Sequence, residues 1–339
     1  MSSFVGAFAG DTSSSPLQPT LPSIPPSLNL VTKTHEFEVN GGTGKIIVKL
    51  ASVPKLTYYG EDILLTGHSV WFGALNAIQL MTDLVPVFDP SFSTSTLNIL
   101  EIGAGTGLAG LFQAKLLNSN TPNQPYNLFL TDGEDDCVST LQSNACLNGL
   151  CQCCPSLSVL PASNSVHCSQ LWWGKDQPQL QTLFDDAASS SSSSFEGFDI
   201  IIGSDLIYSS KQVPTVKLLF ETVYASLKVT PNAVAEAVTK RVVLPGYGVD
   251  TDADDEEAFM PKVSADFVCN PKGGGVFYLA FTRRNMPVQT VLGLAEDIGL
   301  SWMLIEDYCW DVFDNNTDGI TEMWRDAIYC FWKVEKKGV

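Results

Sequence analysis

Basic residues are scarce in this sequence. Its 339 residues include 19 lysines and arginines against 37 aspartates and glutamates, a formal net charge of −18 at pH 7. No segment carries a basic stripe, which argues against DNA or RNA as a partner. The acidity suits a basic protein or peptide partner, and it serves solubility equally well. Histidine is rarer still, with three in the chain. No apolar run reaches the roughly 20 residues that cross a bilayer, so no membrane partner is expected. No secretory signal is visible, and the first basic residue is Lys33. That speaks against a mitochondrial presequence, while the Ser-, Thr- and Pro-rich start leaves a plastid-targeting segment open. No internal repeat is evident.

Cysteine is not scarce. There are nine, an odd number, and several sit in apparent core segments. Without a secretory signal they read as reduced thiols, in a cytoplasmic or nuclear protein. Cys151-Gln152-Cys153-Cys154 holds a single CxxC spacing, Cys151 to Cys154, and no second cluster follows beyond His167-Cys168. It therefore reads as a cysteine-rich loop rather than a zinc site. The acidic run Asp250-Thr251-Asp252-Ala253-Asp254-Asp255-Glu256-Glu257 lacks a calcium loop's glycine at the sixth position and glutamate at the twelfth. It reads as a solvated insertion with a role in partner choice. No metal is expected.

The informative stretch runs from Leu97 to Gly110, LNILEIGAGTGLAG. Leu97 to Ile102 is an apolar run that predicts a buried parallel strand. Gly103, Gly105 and Gly107 follow at once, and Leu108, Leu111, Phe112 and Leu116 then recur at helical spacing. Strand, glycine turn and helix is how a nucleotide-like ligand meets backbone N–H groups at a helix N-terminus. Gly105-x-Gly107-x-x-Gly110 alone also fits the dinucleotide fingerprint.

On either side the chain alternates strands and helices. Residues 1–32 read as a disordered tail. Glu36–Val39 and Lys45–Leu50 alternate around Asn40-Gly41-Gly42, which predicts a β-hairpin within residues 33–62. Leu75, Ile78, Met81 and Leu84 predict an amphipathic helix. Further strands are predicted at 128–131, 165–171, 198–204, 275–282, 302–305 and 327–334, with helices at 134–147, 176–186, 211–228 and 287–299. Six serines, 189–194, predict a flexible loop, and residues 229–273 an acidic insertion. This order implies an α/β fold with a doubly wound, Rossmann-like seven-stranded sheet whose last strand is antiparallel. Its ligand crevice should lie at the carboxyl ends of the strands. Gly103, Asp132, Trp173 and Asp205 all fall at such ends. Asp132 can accept both ribose hydroxyls of an adenosine or cap the following helix, and Trp172 or Trp173 can stack on an adenine.

Five pieces in order resemble a seven-β-strand S-adenosylmethionine (SAM)-dependent methyltransferase of the protein-lysine methyltransferase family. They are Val70-Trp71, Glu101-Ile102-Gly103-Ala104-Gly105-Thr106-Gly107, Thr131-Asp132-Gly133, Leu171-Trp172-Trp173-Gly174 and Ser204-Asp205-Leu206-Ile207-Tyr208. The resemblance covers residues 63–334 and implies a methyltransferase domain over 63–336. It implies that Glu101, Gly103, Gly105 and Gly107 hold the amino-acid and ribose part of SAM. Asp132 would take the ribose hydroxyls, Trp173 the adenine, and Trp71 a wall of the cofactor pocket. Asp205 and Tyr208, in an Asp-x-x-Tyr motif, would shape the channel for an acceptor lysine. His68 reads as structural. The implied function is methyl transfer to a lysine amine of a protein substrate. A protein-histidine or small-molecule methyltransferase, or a non-catalytic SAM-binding protein, would share this fold and these motifs. An NAD-dependent oxidoreductase should offer a Tyr/Lys or His/Asp catalytic set, and none is convincing. Asp-Leu-Ile-Tyr also differs from the Pro-Pro-aromatic motif expected for methylation of nucleic-acid bases.

Overall fold

The structure is a computed structural model. It describes residues 34–40, 45–51, 72–84, 96–150, 160–161, 163–190, 194–207, 212–230, 274–283, 288–314 and 319–333. The N-terminal tail, the Cys151–Cys154 loop, Trp71, Tyr208 and the acidic run at 250–257 lie outside the described residues.

Strand β1 (Thr34–Asn40) pairs antiparallel with β2 (Lys45–Ala51), in register from Thr34↔Ala51 to Asn40↔Lys45. This is the predicted hairpin. Helix α1 (Phe72–Leu84) follows, and then the alternating core: β3 (Leu97–Ile102), α2 (Leu108–Asn120), β4 (Tyr126–Asp132), α3 (Asp135–Leu147), β5 (Ser165–Gln170), α4 (Pro178–Ser190), β6 (Ile200–Ser204) and α5 (Val213–Ser226). The chain ends with β7 (Val276–Arg283), α6 (Val288–Ile298), β8 (Leu300–Asp314) and β9 (Gly319–Lys333). The seven-stranded sheet has the order β5-β4-β3-β6-β7-β9-β8. β3 to β7 run parallel, and β9 is antiparallel to both neighbours, as expected for the last strand.

The sheet is covered on both faces because its strands are apolar on both. On β7, Val276, Tyr278 and Ala280 join one core, while Phe277, Leu279 and Phe281 join the other. This period of two is the pleat itself. The first core takes in α1, α2, α3 and the hairpin residues Ile46, Val48 and Leu50. The second takes in α4, α5 and α6. Asn148, just past α3, fastens the hairpin: its Oδ1 accepts the Lys49 N–H at 2.9 Å and its Nδ2 donates to the Lys49 carbonyl at 2.6 Å.

Chain order reverses between β3 and β6, since β4 and β5 lie to one side of β3, and β6 and β7 lie to the other. A crevice opens at the carboxyl ends of strands on either side of such a reversal. Gly103 follows β3 and Asp205 follows β6, so the two best-defined motifs flank it.

Three boundaries differ from expectation. Helix α4 runs on through Ser189 and Ser190, where the serine run predicted a loop. The Ser189 hydroxyl donates to the Asp185 carbonyl at 2.8 Å, four residues back, which is a bond helical serines can make. Thr230, placed at the start of the insertion, is tied to the sheet by its N–H, which donates to the Lys333 carbonyl at 2.7 Å. Strands β8 and β9 are each 15 residues long, well beyond the short segments predicted for them.

Candidate cofactor and acceptor site

Each glycine of the loop after β3 sits where a side chain would not fit. Gly103, Gly105 and Gly107 have φ of 61°, 52° and 78°, the left-handed region that favours glycine. A Cβ on Gly103 would lie 2.5 Å from Leu206 Cδ2 and 3.5 Å from Trp173 Cζ2. Leu206 therefore packs directly on the Gly103 backbone, with Trp173 beside it. Gly107 caps α2, so the helix's first N–H groups and its positive dipole end open beside the loop. The loop is held by the Ala104 N–H, which donates to the Thr131 carbonyl at 2.8 Å. From the far side, Asn144 Nδ2 donates to the Thr106 carbonyl at 2.8 Å.

Asp132 ends β4 beside this loop. Its Oδ2 accepts the Gly105 N–H at 2.9 Å and its Oδ1 accepts the Glu134 N–H at 3.1 Å. The local capping role and the loop contact thus coexist. A carboxylate offers about four acceptor positions; these two N–H groups and the Cys137 thiol take three, which leaves one for a ribose hydroxyl. Cys137, buried on α3, packs against the same carboxylate. Burial, with Asp132, Glu134 and Asp136 nearby, pushes its thiol up to about 12.

Glu101 is fully enclosed. Its Oε2 accepts the Gly110 N–H at 2.9 Å, joining the end of β3 to the first turns of α2. Burial pushes its carboxyl up to about 8 against the pull of the Gly110 N–H, and the Asp132 charge adds to the rise. Glu101 thus carries a proton near neutral pH. Its bond to Gly110 fastens the first turn of α2 to the end of β3.

Trp172 and Trp173 leave β5 in opposite directions. Trp172 is 46% exposed, and a Cβ on Gly133 would lie 3.1 Å from its ring. Trp173 is half-buried, packs on the second core and faces Gly103. The turn beneath them is fixed by the Gly174 N–H, which donates to Thr222 Oγ1 at 2.6 Å.

Asp205 takes φ 51°, the only positive φ outside glycine among the described residues. Its N–H donates to the Ala280 carbonyl of β7 at 2.7 Å. Its Oδ2 accepts the Gly73 N–H at 2.6 Å. Gly73 is the second residue of α1, so this carboxylate caps a helix that begins 132 residues earlier. A Cβ on Gly73 would lie 2.8 Å from Asp205 Cγ and 2.9 Å from the Ala280 carbonyl oxygen. Glycine is therefore required at Gly73 for the strand ends and the helix start to meet. The sequence reading gave Asp205 only an acceptor-side role. Gly73 and Asn144 carry no local signal, because their partners lie on other elements.

The strand order, the antiparallel last strand and the glycine loop at the chain reversal define a Rossmann-like α/β methyltransferase fold. Residues 56–265, more than half of the chain, match the lysine methyltransferase family, and the chain belongs to that family. Protein-lysine N-methyltransferase EFM3 of Saccharomyces cerevisiae is 25% identical over 173 residues, covering 49% of this chain. The match spans 42% of the yeast protein, less than half its length. Among solved structures, precorrin-6y C5,15-methyltransferase from Geobacter metallireducens gives a TM-score of 0.37 at 12% identity, over 76% of this chain and 88% of that one. The arsenic(III) S-adenosylmethionine methyltransferase CrArsM from Chlamydomonas reinhardtii gives 0.35 at 13%, over 70% and 63%. The fold assignment rests on this chain's own topology.

The family's cofactor is SAM, and the donor set fits it. The left-handed glycine loop presents backbone at the start of α2, Asp132 keeps an acceptor position for a hydroxyl, and an indole stands beside the loop.

Proposed function

We propose that this protein transfers methyl groups from SAM to a lysine side-chain amine of a protein substrate. The observation that carries this reading is the lysine methyltransferase match over residues 56–265, which spans Glu101–Gly107, Asp132, Trp173 and Asp205–Tyr208 in one run. When bound, SAM supplies a methyl group on a sulfonium, already activated toward an amine. The chain's residues then have to bind, orient and desolvate. Gly103 to Gly107 and Asp132 hold the cofactor side. Asp205, fixed at the end of β6 by its bonds to Ala280 and Gly73, supplies a carboxylate that orients the incoming amine. Tyr208, in the same Asp-x-x-Tyr motif, is the candidate to pack on the alkyl stem. Orientation of this kind supplies up to about 7–11 kcal/mol. Enclosure lowers the lysine pKa and so favours the neutral nucleophile. Nine cysteines with no second cluster beside Cys151–Cys154 support a reducing compartment, the cytosol or nucleus.

The test is methyl transfer itself. The purified chain is incubated with labelled SAM and demethylated cell extract, and the labelled proteins are hydrolysed to amino acids. Methyllysine supports the reading. Label on methylhistidine, or only on small molecules, replaces it with a sister activity on the same fold.

A further inference from the structure

The sheet does not end evenly at the edge that carries the site. β7 runs parallel to β3 and β6, so its last residue, Arg283, lies at the same end as Gly103, Asp132 and Asp205. Arg283 is opposite Arg325 of β9. β9 begins earlier, at Gly319, and stays paired with β8 out to Asp314↔Gly319. Six residues, Gly319 to Trp324, therefore project past the end of β7. At about 3.3 Å per residue this is an arm of about 20 Å. It begins four residues beyond the level of Ala280, whose carbonyl holds the Asp205 N–H.

On one side the arm is paired with β8. On the other, no strand among the described residues pairs with Gly319–Trp324. An open edge of this length is a template for another chain, and extended peptides use such edges by adding a strand. The charge of the strand pair that carries the arm indicates which chain. Residues 306–326 contain seven acidic residues, Glu306, Asp307, Asp311 and Asp314 on β8, Asp318 between the strands, and Glu322 and Asp326 on β9, with Glu322 alone inside the arm, against the single Arg325. A stretch of 21 residues thus holds a third of the net charge of a 339-residue chain.

We infer that the open edge of β9 is the docking strip for the protein substrate. Its occupant is an extended segment rich in lysine and arginine around the target lysine. The segment pairs with Gly319–Trp324 in line with β7, which directs its inner end toward Asp205. This inference rests on the lysine-transfer reading and adds the substrate's chemistry to it. Charge on an edge strand also guards against self-association, but either sign serves that purpose. Only the acidic sign serves a basic substrate.

The test uses the full chain with S-adenosylhomocysteine bound. Two fluorescein-labelled 15-residue peptides carry a central lysine, one flanked by arginine and lysine, the other by glycine, serine and glutamine. Anisotropy should show the basic peptide binding at least tenfold tighter, with the difference shrinking between 50 and 500 mM salt. The combined variant Asp311→Lys, Asp314→Lys, Glu322→Lys keeps the edge charged. It should lose at least tenfold affinity for the basic peptide while binding S-adenosylhomocysteine as before. Should that variant lose cofactor binding, Asp311→Asn, Asp314→Asn, Glu322→Gln is measured instead, with the same expectation. Equal binding of the two peptides, binding of neither, or wild-type binding by a folded variant overturns the docking strip. Turnover with labelled SAM on the same peptides separates the two ideas. Tight basic-peptide binding without methylation sinks lysine transfer and supports docking, and methylation with charge-blind binding sinks docking alone.

Discussion

Replacing Asp205 by alanine deletes the acceptor of the Gly73 N–H at the start of α1. A hydrogen bond to a charged acceptor contributes about 1.5–3 kcal/mol. A carboxylate at a helix N-terminus adds about 0.3–1 kcal/mol. Alanine also tolerates the φ of 51° less well than aspartate, at about 1 kcal/mol. The expected loss for Asp205→Ala is about 3 kcal/mol. Asp205→Asn keeps an acceptor and tolerates the left-handed backbone, so it should lose about 1 kcal/mol. Asp205→Gly relieves the backbone but drops the acceptor, and should fall between them. At about 2–4 °C per kcal/mol for domains of 150–250 residues, the alanine variant should melt about 6–12 °C below wild type. Thermal and urea denaturation of the four proteins give the order wild type, Asn, Gly, Ala. Labelled-methyl assays on Asp205→Asn should show transfer at least tenfold down with S-adenosylhomocysteine binding retained, because the charge that orients the amine is gone. An alanine variant as stable as wild type, or an asparagine variant as damaged as alanine, would refute the capping argument.

Other consequences can be checked separately. Gly103→Ala forces a Cβ to within 2.5 Å of Leu206 Cδ2 at a φ of +61°, and calorimetry should show cofactor affinity falling at least tenfold. Glu101 is held protonated up to about 8, above the usual 4.5. Its neutral form is therefore favoured by folding, and it costs stability increasingly as pH rises from 4.5 through 8. Glu101→Gln keeps an acceptor for Gly110 without that titration, so its melting temperature should gain on wild type between pH 5 and 8.5. A parallel pair of melting curves would contradict this. Trp173→Ala should weaken cofactor binding and lower stability together, since Trp173 packs on the core, whereas Trp172→Ala should leave the melting temperature within about 2 °C.

The strands that carry the site were legible because they are buried on both faces. The apolar runs at Leu97–Ile102 and Phe198–Ser204 need no periodicity to be seen, and the residue after each becomes a crevice residue by topology alone. The outer pair, β8 and β9, was only half legible. Asp307, Asp311 and Asp314 interrupt the apolar pattern of one strand, and Thr321, Glu322 and Asp326 that of the other, so the apolar signal covers only part of each strand. The serine run misled for a different reason: at Ser189 the hydroxyl bonds within the helix instead of competing with it. The capping of α1 by Asp205 was not legible at all, because no local pattern announces a partner 132 residues away. Asp132 was legible as a strand-end carboxylate, but its bond to Gly105 depends on the register of β3 against β4.

The central claim is that the glycine loop and Asp132 together bind SAM. Calorimetric titration of S-adenosylhomocysteine and of NAD into wild type and Asp132→Ala tests it most directly. The account predicts micromolar binding of S-adenosylhomocysteine to wild type, at least tenfold weaker binding to Asp132→Ala, and no heat from NAD. Binding of NAD in place of S-adenosylhomocysteine, or an Asp132→Ala titration superimposable on wild type, would contradict it.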